Sequence, residues 1–273
     1  FAQKTDWSRR FAWQSELLAY SIECAVQSGL LPHCRFNAEV TTASFDEARS
    51  LWCITLADGS IVEAQFLVTG VGQLHRPAIP ALPGRDAFAG IQFHSARWDH
   101  GADLAGKRIA VIGNAASAVQ FVPQVAPLAA QLTIFQRSAN WLMPRKDCLY
   151  SPRLHRWMGR WPWLARLRHQ FQWFFFGEMQ LTPLMKQVRV VQWLATIKSK
   201  MHLRRQVKDP ALRAKLTPDY PIGAKRVLFN DDYYPALNRA NVRLVTDRIE
   251  RIEAAGVRTR DGELVAADVI IYA

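Results

Sequence analysis

Lys107-Arg-Ile-Ala-Val-Ile-Gly-Asn-Ala-Ala-Ser-Ala-Val-Gln120 is the stretch whose reading decides the fold. Ile109 to Ile112 is an unbroken apolar run, the pattern of a strand buried on both faces of a parallel sheet. Gly113 interrupts it, and small and apolar residues at helical spacing continue from Ala115 to Val125. A second apolar run, Leu132 to Phe135, closes at Gln136-Arg137. Strand, tight turn, helix and strand within about thirty residues make a βαβ unit of the kind that binds dinucleotides. The helix N-terminus there offers unpaired N–H groups and a positive dipole end to a pyrophosphate.

Against the glycine fingerprint Gly-x-Gly-x-x-Gly/Ala the chain has Gly113, Ala115 and Ala118, an imperfect match. Ala118 satisfies the third position, which needs only a small residue for close helix–strand packing. Ala115 departs from the pattern, since its methyl stands where the backbone approaches the phosphates. Taken alone the motif also fits an ordinary α/β packing turn. The end of the second strand adds to it. An acidic residue there would hold a ribose 2′-OH, whereas Gln136-Arg137 suits the 2′-phosphate of NADP. A solvated surface arginine is the alternative for Arg137.

The chain has 273 residues, enough for one large or two modest domains, and carries a net charge of +12. Such a charge fits nucleic acid or an anionic membrane as partner. The excess is local, so nucleic acid is not expected as a partner. Cys24, Cys34, Cys53 and Cys148 have neither Cys-x-x-Cys spacing nor histidines at ligand spacing, so no metal is expected. They read as reduced thiols of a cytoplasmic protein. Trp173 to Phe176 is the most apolar short stretch and is far too short to span a bilayer. The chain begins at Phe1 and ends at Ala273 within a strand-like run, which is the look of a fragment.

Taken in order, residues 1–13 read as a loop. Gln14 to Ser28 reads as a helix, with Leu17, Leu18, Ile22, Ala25 and Val26 on one face, Ser15 as its cap and Gly29 as its stop. Arg35–Phe45, Leu51–Leu56 and Ile61–Val68 alternate apolar and polar residues, an antiparallel meander with a turn at Asp58-Gly59. His75 to Gly84 is a proline-rich connector. From about 146 to 217 the pattern is helical, and tryptophans at 157, 161, 163, 173 and 193 alternate with arginines and lysines. A helical insertion with solvated basic side chains fits this segment, and so does peripheral contact with an anionic membrane. Tyr220 to Leu228 reads as a loop entering a strand, Asn241 to Val245 as a strand, Ile249 to Leu264 as a hairpin turning at Asp261-Gly262, and Asp268 to Ala273 as a buried strand. All can extend the sheet begun at Ile109.

Ahead of the βαβ unit stands Phe88-Ala-Gly90-Ile-Gln-Phe-His94-Ser-Ala-Arg-Trp98-Asp99. It resembles the Phe-x-Gly-x-x-x-His-x-x-x-Trp-(Pro/Asp) signature of the type I Baeyer–Villiger monooxygenases, a branch of the flavin-containing monooxygenases. The resemblance extends through Arg10 to Gln14, the Gly72–Gly84 connector, Phe135 to Arg137, Pro218 to Leu237 and the terminal strand, and is loose over the helical segment. It implies an α/β fold: a doubly wound, Rossmann-like NADPH domain at 101–273 with a helical insertion at 146–217. Residues 1–100 would be a partial FAD-binding domain, with its β-meander, and the interdomain linker. The family's first glycine motif has no counterpart here, which implies an internal fragment, inactive alone.

The resemblance implies FAD and NADPH as cofactors. It further implies O2 activation through a flavin C4a-peroxide and oxidation of a ketone or other hydrophobic small molecule to an ester or lactone. N- or S-oxidation, and a non-catalytic NADP-binding fragment, stay open as alternatives. By position it implies that Gly113, Asn114, Ala115, Ser117, Ala118 and Gln120 lie at the pyrophosphate turn. Arg137, Ser138 and Lys225 would meet the 2′-phosphate, and Arg226 would be the catalytic arginine reaching toward the flavin. His94 and Trp98 would orient domains and cofactor, with a hydrogen-bonded linker histidine as the alternative for His94.

Overall fold

The computed structural model describes residues 4–72, 74 and 76–273. The connector's expected first residue, His75, lies outside the described residues. Two compact units result: Phe1–Arg76 with Cys148–Pro162, and Pro77–Asp147 with Trp163–Ala273.

The first unit holds helix α1 (Gln14–Gln27) and a meander of β1 (Val40–Asp46), β2 (Leu51–Leu56) and β3 (Ile61–Ala64). Trp13, not Ser15, stands at the N-cap of α1, and no side chain caps it. Glu16 in the first turn instead accepts from the Ser8 amide at 2.8 Å and the Ser8 hydroxyl at 2.6 Å. None of the residues of α1 is buried. The third strand, expected to reach Val68, stops at Ala64. Ala64 pairs with Trp52, and only Leu51 of β2 remains beyond that pair. Segment 148–162 joins this unit through backbone bonds from Tyr150 to Ser8 and from Arg10 to Cys148, and carries the helix Pro152–Arg160.

The second unit is built on a fully parallel five-stranded sheet. Its strands are β4 (Ile91–His94), β5 (Arg108–Ile112), β6 (Gln131–Phe135), β9 (Val242–Val245) and β13 (Val269–Tyr272), in the order β4-β13-β5-β6-β9. Helix α2 (Ala116–Val125) crosses from β5 to β6. Strand side chains point alternately to opposite faces, and both faces are covered. Ile109, Val111, Leu132, Ile134, Val269 and Ile271 pack with Val119 and Val122 of α2. Ala110, Ile112, Phe135, Ile270 and Tyr272 face the other way. That is why the strands are continuous apolar runs instead of alternating ones.

The second face is closed by residues that the sequence placed in the sheet itself. The stretch expected as one hairpin is three antiparallel strands, β10 (Ile249–Glu253), β11 (Gly256–Thr259) and β12 (Leu264–Ala266). Besides the turn at Asp261-Gly262 the chain reverses at Ala254-Ala255, where Gly256 has φ 155° and a Cβ would stand 2.1 Å from the Val265 carbonyl oxygen. These strands form their own sheet, and Ile252, Val257 and Val265 pack under Ile270 and Tyr272.

The insertion comprises helices Pro162–Gln172 and Thr182–Met185 around a π-helical stretch (Trp173–Leu181), then α3 (Arg189–Gln206) and α4 (Pro210–Lys215). It docks on the short parallel pair β7 (Leu142–Met143) and β8 (Leu228–Phe229) through Trp141, Met143, Leu184, Ala195 and Ile222. Ser199 of α3 donates to the Leu142 carbonyl at 2.6 Å, and His202 meets the Asn230 carbonyl at 2.9 Å. The last helix, α5 (Tyr233–Leu237), packs on α2's side of the large sheet. Trp163, Trp173 and Trp193 remain exposed. Among the described residues no helix is long and apolar enough to cross a membrane.

Asp268, at the entry of β13, locks the central strands. Its backbone N–H donates to Arg108, its carbonyl accepts from Ile91, and its carboxylate accepts from the Arg108 amide at 2.8 Å and from the Arg108 guanidinium. The guanidinium and the amide hold the carboxyl down at about 2, from an ordinary 3.8. A depressed folded-state value means that the stabilisation is complete above about pH 4 and is lost as pH falls toward 2. Acid titration of folding by circular dichroism is expected to show a destabilising limb over that window, and Asp268→Asn is expected to flatten it. An unchanged limb in the variant would remove Asp268 as its source.

Candidate functional site

The site forms where the C-terminal ends of β5 and β6 meet the start of α2. Gly113 has φ 107°, and a Cβ on it would stand 2.0 Å from the Ala273 carbonyl oxygen. Glycine is therefore required here twice, by backbone conformation and by the approach of the chain after β13. Ala115, the departure from the fingerprint, is the N-cap of α2 at φ −69°, ψ −172°. Any residue adopts that conformation, so the methyl introduces no backbone strain at this position. No side chain caps the first turn. Ala118 is fully buried against the sheet, as its smallness predicts. Ser117 is exposed, and Gln120 turns back on its own helix, donating to the Ala116 carbonyl at 3.2 Å.

A polar lattice holds the turn. The Asn114 amide donates to Gln136 Oε1 at 2.8 Å and to the Ser138 carbonyl at 2.9 Å, and the Asn114 carbonyl accepts from Asn140 at 2.6 Å. Gln136, 3% exposed, donates onward to the Lys215 carbonyl at the end of α4 at 2.7 Å. Gln136 thus stands where an acidic ribose ligand would be, but its side chain is wholly engaged inside the fold.

Cations collect at the rim. Arg137 is exposed, with no hydrogen bond or ion pair among the described residues. Lys225, 87 residues further on, reaches Ser138 Oγ at 3.4 Å. Its neighbour Arg226 is exposed and likewise has no partner among the described residues. The turn that delivers Lys225 depends on Gly223, with φ 92° and a would-be Cβ 2.7 Å from the Leu184 carbonyl. Lys225 therefore stands beside the residue that follows Arg137, and neither cation has a carboxylate partner among the described residues, a local charge that favours an anion.

The Phe88–Asp99 segment has a structural task at each fixed position. Phe88 is buried on the β10–β12 side of the sheet. Gly90 is required because a Cβ would stand 2.2 Å from the Asp268 carbonyl. His94 ends β4 and caps the turn Ser95–Arg97, its Nδ1 accepting from Ala96 at 3.0 Å, and Asp99 accepts from Gly101 at 2.9 Å. Trp98 packs edge-on against Phe93 at 5.2 Å and against Phe121 of α2 at 5.3 Å. The segment is therefore fixed to the helix whose N-terminus forms the site.

Comparison with known proteins follows this geometry. The description "flavin-binding monooxygenase-like" matches residues 2–273. The whole chain is 40% identical to a Baeyer–Villiger monooxygenase of Streptomyces coelicolor and 39% identical to one of Pseudomonas aeruginosa, covering 52% and 51% of those proteins. The chain spans about half the length of these curated relatives. Among solved structures it resembles OTEMO in complex with FAD and NADP, with a TM-score of 0.84 and 31% identity over 98% of this chain and 58% of that one. It also resembles an open form of cyclohexanone monooxygenase, with a TM-score of 0.84 and 25% identity over 100% of this chain and 61% of that one.

The two ring contacts of Trp98 set an expectation for stability. Trp98→Ala is expected to cost about 2–4 kcal/mol of unfolding free energy, with Trp98→Phe recovering most of it in denaturant titration. Equal losses in both variants would mean that ring packing is not what holds the segment.

Proposed function

Since this chain belongs to the flavin-binding monooxygenase-like family, we propose that it is the NADPH-binding half, with part of the flavin-binding half, of a Baeyer–Villiger monooxygenase acting on a ketone. The observation that carries this reading is the meeting of Lys225 with Ser138 beside Arg137, at the end of the second strand of the βαβ unit. Those positions are far apart in sequence, and their convergence supplies the two cations and the hydroxyl that a 2′-phosphate requires. On this reading residues 101–273, with their insertion at 146–217, hold NADPH, and residues 1–100 contribute to the flavin domain and the linker.

The residues present fit a dinucleotide. Gly113 makes the tight turn from β5 toward α2, the uncapped start of α2 offers N–H donors, and the Asn114–Gln136 lattice holds the turn. When bound, NADPH supplies hydride and FAD supplies the activation of O2. The protein's own part is electrostatic. Arg226 keeps a permanent positive charge and a planar donor fork, suited to an oxyanion that develops during oxygen transfer. Trp98 holds the signature segment against Phe121 of α2, and His94 caps the turn that precedes it.

Calorimetric titration with NADP+ and NAD+ tests the nucleotide reading. Arg137→Ala is expected to shrink the preference for NADP+ by about ten- to a hundredfold, the loss of one charge-assisted contact. An unchanged preference would take Arg137 out of the site. For the arginine next to Lys225, the relevant preparation is a protein of the relatives' length loaded with FAD. There Arg226→Ala is expected to lower ester formation by about a hundredfold or more while leaving NADP+ affinity within about twofold. Undiminished ester formation would refute the role given to Arg226.

A further inference from the structure

Lys225 is held by a group that no sequence motif points to. Its Nζ lies 4.3 Å from the centroid of the Tyr220 ring, and its one hydrogen-bond acceptor among the described residues is the Ser138 hydroxyl. Both partners are neutral. A carboxylate in either place would pair with the ammonium and cancel the charge that an anion needs. An aromatic face attracts the ammonium through its quadrupole and leaves the full positive charge in place.

Tyr220 is itself fixed on the same loop. Its hydroxyl donates to the Ala139 carbonyl at 3.0 Å, and its carbonyl accepts from the Trp141 indole at 2.9 Å. Burial pushes the phenol's ionisation up, so the ring stays neutral. Trp141, against which Tyr220 packs, belongs to the cluster under the helical insertion. The turn closed by the Ala224 amide on the Pro221 carbonyl then returns Lys225 over the ring. One tyrosine therefore couples the loop after β6, which carries Arg137 and Ser138, to the turn that carries Lys225.

We propose that Tyr220 is a positioning residue for 2′-phosphate recognition: its ring face holds the Lys225 ammonium beside Ser138, uncompensated and aimed at the phosphate. The proposal rests on the NADP reading above and adds to it a specificity determinant that does not touch the nucleotide. It predicts that Tyr220 acts only through Lys225 and only on nucleotides carrying the 2′-phosphate.

The test is a calorimetric double-mutant cycle on this chain, titrated with NADP+ and NAD+. Tyr220→Leu is expected to weaken NADP+ binding about two- to fivefold and to leave NAD+ binding unchanged. In a Lys225→Met background the same change is expected to have no effect. Replacing Tyr220 by Phe keeps the ring and is expected to keep the preference. Pentafluorophenylalanine at the same position keeps the volume but reverses the quadrupole, and is expected to weaken NADP+ binding by at least about the same factor even if the leucine variant fails to fold. Equal weakening of both nucleotides, survival of the effect without Lys225, or full preference with the fluorinated ring would each overturn the proposal. If the native chain shows no preference for NADP+, the NADP reading falls and this one with it. A native preference that is indifferent to the ring overturns this one alone.

Discussion

Strand β13 enters the sheet between β4 and β5, and the rest of the second unit depends on that insertion. The strand comes from the end of the chain, whereas its two neighbours precede and open the βαβ unit. Asp268 joins all three at the point of entry, and Tyr272 at the other end donates to Gln92 of β4 at 2.9 Å. Because β13 is fully buried, each of its faces must be answered by another layer: α2 and α5 on one side, β10–β12 on the other. Two glycines follow from its path. Gly90 admits the Asp268 carbonyl and Gly113 admits the Ala273 carbonyl, so the turn into α2 and the signature segment are both shaped around the same strand.

This arrangement gives two meanings to residues that would otherwise be read only for function. Gly113 stands in the proposed nucleotide turn and also makes room for the chain beyond β13. Trp98 belongs to a family signature and also wedges between Phe93 and Phe121. His94 keeps a ring nitrogen occupied in capping a short turn. The signature is thus a mechanical connection between the sheet and α2. A change at Trp98 acts first on its packing against Phe121 of α2.

Electrostatics at the rim follow a different logic from the interior. Inside, polar groups saturate one another, as Asn114, Gln136 and Asn140 do, because an unmet donor or acceptor in a buried place costs about 1–3 kcal/mol. Around the Lys225–Ser138 contact, Arg137 and Lys225 lack acidic partners among the described residues, although acids pair with cations elsewhere. Arg258 is paired with Glu253, Arg108 with Asp268, and Arg49 with Glu63. Positive charge left unpaired around the Lys225–Ser138 contact is what supports the proposed anion site.

By itself the sequence determined the local units. Continuous apolar runs at Ile109–Ile112 and at the terminal strand specified strands covered on both faces, and Gly113 with Ala118 specified a turn into a closely packed helix. Asp58-Gly59 specified the meander's turn, and the Phe88–Asp99 spacing specified the family. These features are legible because each depends on neighbours within a few residues or on a fixed spacing. Tertiary structure decided which strands share a sheet and which groups converge. The stretch after Ile249 alternates much as an added sheet strand would, and only its packing under Ile270 and Tyr272 makes it a separate layer. Ser15 is a good capping residue, yet the chain path put Trp13 at the cap. The Asn114–Gln136–Lys215 lattice and the Tyr220–Lys225–Ser138 contact join positions up to 87 residues apart. No local propensity encodes such distances; they exist only once burial of the sheet has fixed where every loop must pass.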